Sequence, residues 1–86
     1  GIAKGLVRSF DLAPKQEREL INAIERVEKA LKKSFRNEKS RKSSLGKEFN
    51  LLVRRVDLFK KKKILSQEEY DELIELIAKA RANALK

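Results

Sequence analysis

The feature that most constrains the fold of this chain is an apolar repeat inside its most basic stretch, residues 45–63. Large apolar side chains recur there at steps of four, three, four and three residues, at Leu45, Phe49, Leu52, Val56 and Phe59. This spacing places side chains on one stripe of an α-helix. The sequence therefore predicts a helix whose apolar stripe is buried against other parts of the chain.

Three cations follow the same helix on its opposite side. Lys47, Arg54 and Lys61 are seven residues apart, so they align along one face, which points away from the apolar stripe. We call these three residues the cationic ridge. The pattern predicts that the ridge is free to meet a partner.

The length and charge of the chain limit the kind of domain that can contain such a helix. The chain has 86 residues, with 22 Lys and Arg against 13 Asp and Glu, for a net charge of +9. We expect one helical domain over residues 1–86, because a chain of this length has material for a single small core. Since there is no Cys, packing alone must hold that core.

The first part of the chain contains a second periodic segment. Asp11 and Pro14 indicate a helix start, since Asp can cap free amides and Pro is tolerated in a first turn. We predict helix one over residues 13–36, preceded by an irregular or short-helical arm, residues 1–12, that packs across the bundle. The residues expected to face the core are Leu20, Ile21, Ile24, Val27, Leu31 and Phe35.

Residues 37–44 contain no apolar side chain and are rich in Ser, so the sequence predicts a basic, mobile loop there. Ser43 or Ser44 is then expected to cap helix two, residues 44–63. The four lysines at residues 60–63 are expected to form a frayed, solvated helix end.

A strong local signal opens the last helix. Ser66 and Glu69 have the spacing of a capping box, in which each side chain bonds the backbone amide of the other residue. Helix three is predicted over residues 66–85. Its inward side chains are expected to be Tyr70, Leu73, Ile74, Ile77, Ala80 and Ala84.

Together these segments predict an all-α fold, a small three-helix bundle with an N-terminal arm. The sequence has no apolar run long enough for a membrane span and no apolar core of a secretory signal, so we expect a cytoplasmic protein. Gly1 in place of Met indicates a processed or tagged start or an excised fragment.

The residue types present argue against catalysis. The chain has no His and no Cys, so a general acid or base near neutral pH needs a carboxylate, Lys or Tyr with a shifted pKa. The acidic cluster of helix three has the pattern of a solvated helix face, which favours neither a metal site nor catalysis. We therefore expect a non-enzymatic protein with no cofactor and no metal.

The distribution of charge suggests a polyanionic partner. Residues 29–65 hold 14 basic and three acidic residues, and such a concentration is typical of proteins that bind nucleic-acid backbone. Because four of the five aromatic residues are predicted to face the core, phosphate contact with DNA or structured RNA fits better than stacking on single-stranded bases. The candidate contacts within residues 32–63 are Lys32, Lys33, Arg36, Lys39, Arg41, Lys42, Lys47, Arg54, Arg55, Lys61 and Lys62.

Two leucines leave a second interpretation open. Leu51 and Leu58 fall outside the buried stripe and beside the cationic ridge. Either a neighbouring element such as the N-terminal arm covers them, or they are exposed and form an apolar strip for a partner. In the second case the protein is an interaction module or a homo-oligomer, and the lysines provide steering and solubility.

Overall fold

The computed structural model of this protein describes residues 2–85, and side chains from residue 3 onward. Across this range the regular secondary structure is helical throughout, which confirms the predicted all-α bundle. The helices are α1 (Ile2–Ser9), α2 (Pro14–Lys32), α3 (Glu38–Lys61) and α4 (Gln67–Ala84). The predicted arm is thus a short helix. Residues 1 and 86 of the predicted domain lie outside the described residues.

The four helices form a ring in which α2 and α4 each pack against both α1 and α3. Consecutive helices run antiparallel, as three long-range contacts show. Lys4 of α1 pairs with Glu28 late in α2, Arg55 late in α3 pairs with Glu19 early in α2, and Arg41 early in α3 reaches Ala84 at the end of α4. The result is an up-down-up-down bundle measuring 39 × 20 × 20 Å.

The centre of the ring is a single apolar core. All five residues of the predicted α3 stripe are buried, which confirms that part of the sequence analysis. The other helices contribute Val7, Leu20, Ile24, Val27, Ala30, Leu73 and Ile77, and Leu65 comes from the connection between α3 and α4. Because α3 touches both long neighbours, its stripe lies at the middle of the bundle.

The start of α2 differs from the prediction. Pro14 is the first residue of the helix, as expected, but the N-cap is Ala13, which makes no side-chain cap hydrogen bond. Asp11 instead adopts a left-handed conformation with φ of 57°. Asp tolerates this region better than most residues, so Asp11 turns the chain between α1 and α2 rather than capping a helix.

The end of α2 also differs. The helix stops at Lys32, four residues before the predicted end, because Lys33 takes an extended conformation. Phe35 therefore lies in the connection, half-buried, and not on the helix. The chain must reverse direction within residues 33–37, which a continued helix would prevent.

The predicted loop over residues 37–44 is wrong, since α3 already begins at Glu38. Asn37 is the N-cap, and its side-chain oxygen accepts a hydrogen bond of 2.8 Å from the Ser40 amide. Ser43 and Ser44, which were expected to cap the helix, lie inside it. Arg41 adds a tertiary contact by donating to the Ala84 carbonyl at 2.5 Å. The lack of apolar residues predicted a loop, but a cap and helix-forming Lys, Arg and Glu residues make a helix.

The far end of α3 is well defined and not frayed. Lys63 is left-handed, with φ of 62°. The Lys63 amide donates to the Lys60 carbonyl at 3.0 Å and the Ile64 amide donates to the Phe59 carbonyl at 2.9 Å. These two bonds form a Schellman motif, which satisfies the last carbonyls of the helix.

The predicted capping box at the start of α4 is confirmed. The Glu69 amide donates to the Ser66 hydroxyl at 3.1 Å, and the Ser66 amide donates to the Glu69 carboxylate at 2.8 Å. Besides Phe35, two more residues expected to face the core do not. Leu31 of α2 is 44% exposed, and Ala80 of α4 is also exposed. Both residues line an open apolar groove between α2 and α4.

Candidate nucleic-acid interface

The outer face of α3 is the side of the helix opposite its buried apolar stripe. Lys47, Arg54 and Lys61 are all exposed on the side opposite the buried stripe. Ser43 and Asn50 fall on the same side, because residues 43, 47, 50 and 54 follow helical steps of four, three and four. This face extends along a helix of 24 residues, about 36 Å long.

An open groove of about 430 Å³ runs along this face. It brings together Lys42, Lys47 and Arg54 with the polar side chains of Ser43 and Asn50. The sequence analysis missed Asn50, whose amide can donate to a phosphate oxygen beside two cations. Its spacing of three residues from Lys47 and four from Arg54 was the signal that could have found it.

Each of the three acidic residues of α3 has a partner within the chain. Glu38 pairs with Arg41 at 2.8 Å, and Glu48 pairs with Arg26 of α2 at 3.6 Å. Asp57 accepts a hydrogen bond of 2.6 Å from the Tyr70 hydroxyl of α4. Asp57 lies beside Arg54 and Lys61 on the helix surface, but its carboxylate is directed to Tyr70 of α4, so cations predominate on the outer face between Lys42 and Lys61.

The hydrogen bond between Tyr70 and Asp57 also affects the ionisation of the Tyr70 phenol. Donation to the Asp57 carboxylate, together with partial burial and the nearby negative charges of Asp57 and Asp71, raises the pKa of Tyr70 above its usual 10.0. The phenol is protonated at neutral pH, so the bond links α3 to α4 under physiological conditions.

Two of the eleven residues predicted to contact nucleic acid instead contact other parts of the same chain. Arg41 is partly buried between Glu38 and the Ala84 carbonyl, so it fastens the start of α3 to the end of α4. Arg55 lies 3.8 Å from Glu19 of α2, with both side chains nearly half exposed. Such an exposed pair is weak, but it draws Arg55 toward α2 and away from the cationic ridge.

The remaining predicted cations are exposed, but they are not all on one face. Residues 32, 33, 36, 39 and 42 gather where α2 ends and α3 begins, next to the groove. Lys33 lies over the Phe35 ring, with 5.9 Å between its Nζ atom and the ring centroid. Lys62 follows the last turn of α3 at the opposite end of the ridge.

Leu51 and Leu58 are exposed at 42% and 40%. Of the two interpretations left open by the sequence, cover by the N-terminal segment does not occur, because α1 packs against α2 and α4. Leu51 lines the basic groove beside Lys47 and Arg54. The outer face thus combines cations with a narrow apolar strip.

Among residues 2–85, no helix has both the length and the apolar character to cross a bilayer. The same residues contain no group of three or more carboxylates placed to hold a metal ion. Comparison with known protein families, curated proteins and solved structures found no match. The function must therefore be argued from the geometry of the molecule itself.

Proposed function

We propose that this protein is a non-enzymatic cytoplasmic accessory protein that binds the phosphate backbone of DNA or structured RNA through the outer face of α3. The observation that supports it most is the separation of charge on that helix. Its three acidic residues are engaged with Arg41, Arg26 and Tyr70, whereas Lys47, Arg54 and Lys61 project into solvent.

The dimensions of the ridge suit a duplex backbone. Lys47 and Lys61 are 14 residues apart on one helix, so the ridge is about 21 Å long, close to six base-pair rises of B-form DNA. Lys42 and the exposed cations at residues 32–39 extend the positive surface beyond one end of the ridge. Lysine and arginine contacts of this kind give affinity without sequence discrimination.

The shortage of exposed aromatic rings supports a backbone partner over splayed bases. Phe49 and Phe59 are buried, and Phe10, Phe35 and Tyr70 are half-buried. The face of α3 therefore presents no stacking platform of the kind that single-strand binders use. We expect duplexes of unrelated sequence to bind with similar affinity.

Fluorescence anisotropy with labelled duplex DNA, duplex RNA and single-stranded DNA tests this proposal. If about four phosphates are contacted, duplex affinity falls ~100-fold between 50 and 200 mM salt. The triple variant K47Q/R54Q/K61Q is expected to lose ~100-fold in affinity at 0.1 M salt and to show a shallower salt slope.

The matched control is R8Q/K15Q/R18Q, which lowers the net charge equally but removes exposed cations of α1 and α2. It should retain affinity within about tenfold of the wild-type value, since those residues lie off the ridge. Equal losses in both triple variants would mean that net charge alone drives binding. The absence of duplex binding at 50 mM salt would refute the proposal.

The exposure of Leu51 and Leu58 supports a second candidate, a protein interface on the same face. A partner there would need apolar side chains flanked by carboxylates, to match the leucines and the cations around them. Its binding would tolerate salt and would be lost in the variant L51Q/L58Q. Nucleic-acid binding, by contrast, should depend mainly on the ridge.

A further inference from the structure

A second cationic surface lies on α2, beside the start of α3. Arg26, Lys29 and Lys33 line an open cleft of about 300 Å³ between the two helices, together with Ser44 and Glu48 of α3. Arg26 and Lys29 belong to the second half of α2, and Lys33 is its C-cap. All three cations are exposed. We call these three residues the α2 row.

The neighbours of α2 separate its charges. Glu25 and Glu28 lie 3.9 and 3.1 Å from the Lys4 ammonium of α1, so their carboxylates are directed away from α3. Sequence spacing alone would pair Glu25 with Lys29, four residues further along the helix. Because Lys4 holds both carboxylates on the α1 side, Lys29 is left on the side of α2 that lines the cleft.

The cleft itself is positive. Glu48 is the one carboxylate among its lining residues, and it lies 3.6 Å from Nε of Arg26. The Glu48 side chain is 20% exposed, whereas that of Arg26 is 70% exposed. Three cations therefore face one largely covered carboxylate, and the Ser44 hydroxyl beside them can donate to a phosphate oxygen. This combination suits a phosphate group.

The α2 row and the cationic ridge border one continuous surface. Leu51 lines the basic groove beside Lys47 and Arg54, and it also lines a pocket that includes Arg26 and Glu48. No other helix separates the two rows. Packed helices lie about 8–10 Å apart, a distance between the widths of the minor and major grooves of B-form DNA, about 6 and 12 Å. Two backbones that border a groove are therefore within reach of the two rows.

The other long neighbour of α3 has the opposite charge. The exposed side chains in the first half of α4 include Glu68, Asp71, Glu72 and Glu75. A polyanion on the ridge is repelled from this side of the bundle. Phosphates beyond those on the ridge are therefore held more favourably by α2 than by α4.

We propose that the α2 row and Ser44 form a second phosphate-binding site, and that the two rows contact the two strands bordering one groove of a duplex. The second site rests on the proposed function, because the ridge holds the first strand. It adds Arg26 and Lys29 to the contacts predicted from the sequence. It also makes the protein selective for double-stranded nucleic acid, since a single strand has no second backbone at this distance.

The variant K29Q/K33Q tests the second site in the anisotropy assay. Its duplex affinity should fall ~10-fold at 0.1 M salt, and the slope of log affinity against log salt concentration should become shallower by about two. Its affinity for single-stranded DNA of the same length should fall less than about threefold. The control R8Q/K79Q removes two exposed cations from α1 and α4 and should lose less than about threefold on duplex.

The variant E48Q should bind more tightly, an outcome that loss of folding cannot imitate. Glutamine keeps the shape of the side chain but removes the carboxylate of the cleft and releases Arg26, so duplex affinity should rise ~5-fold. The control E75Q makes the same change of net charge on α4 and should raise affinity less than about twofold. Circular dichroism verifies the fold of E48Q, since Glu48 links α3 to α2.

Three outcomes separate the two proposals. If the wild-type protein binds no duplex at 50 mM salt, the proposed function fails and the second site fails with it. If K47Q/R54Q/K61Q loses duplex binding but K29Q/K33Q does not, and E48Q behaves like E75Q, the proposed function stands and the second site is overturned. Equal losses of K29Q/K33Q on duplex and single strand would contradict the assignment of the two rows to two strands.

Discussion

On α3, Phe49 and Val56 face the interior and are almost fully buried, whereas Lys47 and Arg54, only two residues away in each case, face solvent. The inner face contacts other helices along its length and contributes to the free energy of folding. The outer face contributes less to the free energy of folding, since its side chains are largely exposed to solvent.

This contrast shows that one helix can carry the residues that determine stability on one face and residues available for binding on the other. A side chain on the inner face cannot change without changing the core, which is packed closely in proteins. A side chain on the outer face can change its charge at little cost to the fold. The four predictions below test how complete this separation is, beginning with the largest expected effect.

Phe49→Ala should lower the free energy of unfolding by about 3–5 kcal/mol, because it removes a fully buried ring and leaves a cavity. For a small domain this approaches the whole stability. Urea denaturation followed by circular dichroism measures it. Leu51→Ala, on the outer face, is the control and should cost at most about 0.5 kcal/mol. Similar losses in the two variants would show that the faces are not separate.

Asn37→Ala should lower the free energy of unfolding by about 1 kcal/mol, because the Ser40 amide loses the acceptor that caps α3. The first turns of the helix carry Lys39 and Lys42, so fraying there should also weaken duplex binding slightly. Asn50→Ala removes an exposed amide from inside the same helix and serves as the control. A stability loss for Asn50→Ala equal to that for Asn37→Ala would contradict a capping role.

Tyr70→Phe should lower the free energy of unfolding by about 1 kcal/mol at neutral pH, since it removes the hydrogen bond to Asp57. The folded-state pKa of Tyr70 is raised, so this contribution is fully present below the unfolded pKa near 10 and is lost as pH rises through the folded pKa. Chemical denaturation between neutral and strongly alkaline pH checks both statements. Wild type and variant should converge in stability at alkaline pH; a constant difference would contradict the assignment.

Arg54→Gln should change the free energy of unfolding by less than about 0.5 kcal/mol, because Arg54 is exposed on the outer face. The variant should bind duplex measurably more weakly. The slope of log affinity against log salt concentration should become shallower by about one. Arg18→Gln, which removes an exposed cation from α2, is the single-site control. Thermal unfolding measures the effect on stability, and an anisotropy titration of the same sample measures the effect on duplex affinity.

The parts of this molecule that follow from short-range sequence spacing could be predicted. The buried stripe of α3 and the capping box at Ser66 depend on residues within a few turns of each other, and both are present. The same spacing placed Lys47, Arg54 and Lys61 on the exposed side.

Features that depend on tertiary contacts could not be predicted. In addition to its local cap at Asn37, the start of α3 is held by the contact between Arg41 and Ala84, which are 43 residues apart. Arg41 donates to Ala84 of α4 and Arg55 pairs with Glu19 of α2, so composition alone could not show that these two cations are used inside the fold. The exposure of Leu31 depends on which elements pack beside α2, which no local pattern contains.

The antiparallel ring has a consequence for how fast the protein acquires its structure. Each helix packs against the one before it in the sequence, and the connections are as short as residues 10–13, 33–37 and 62–66. Little loop entropy is lost before each contact forms, and helical bundles of such low contact order fold within microseconds to milliseconds. A newly synthesised chain therefore exposes its apolar stripes only briefly, which limits misassembly.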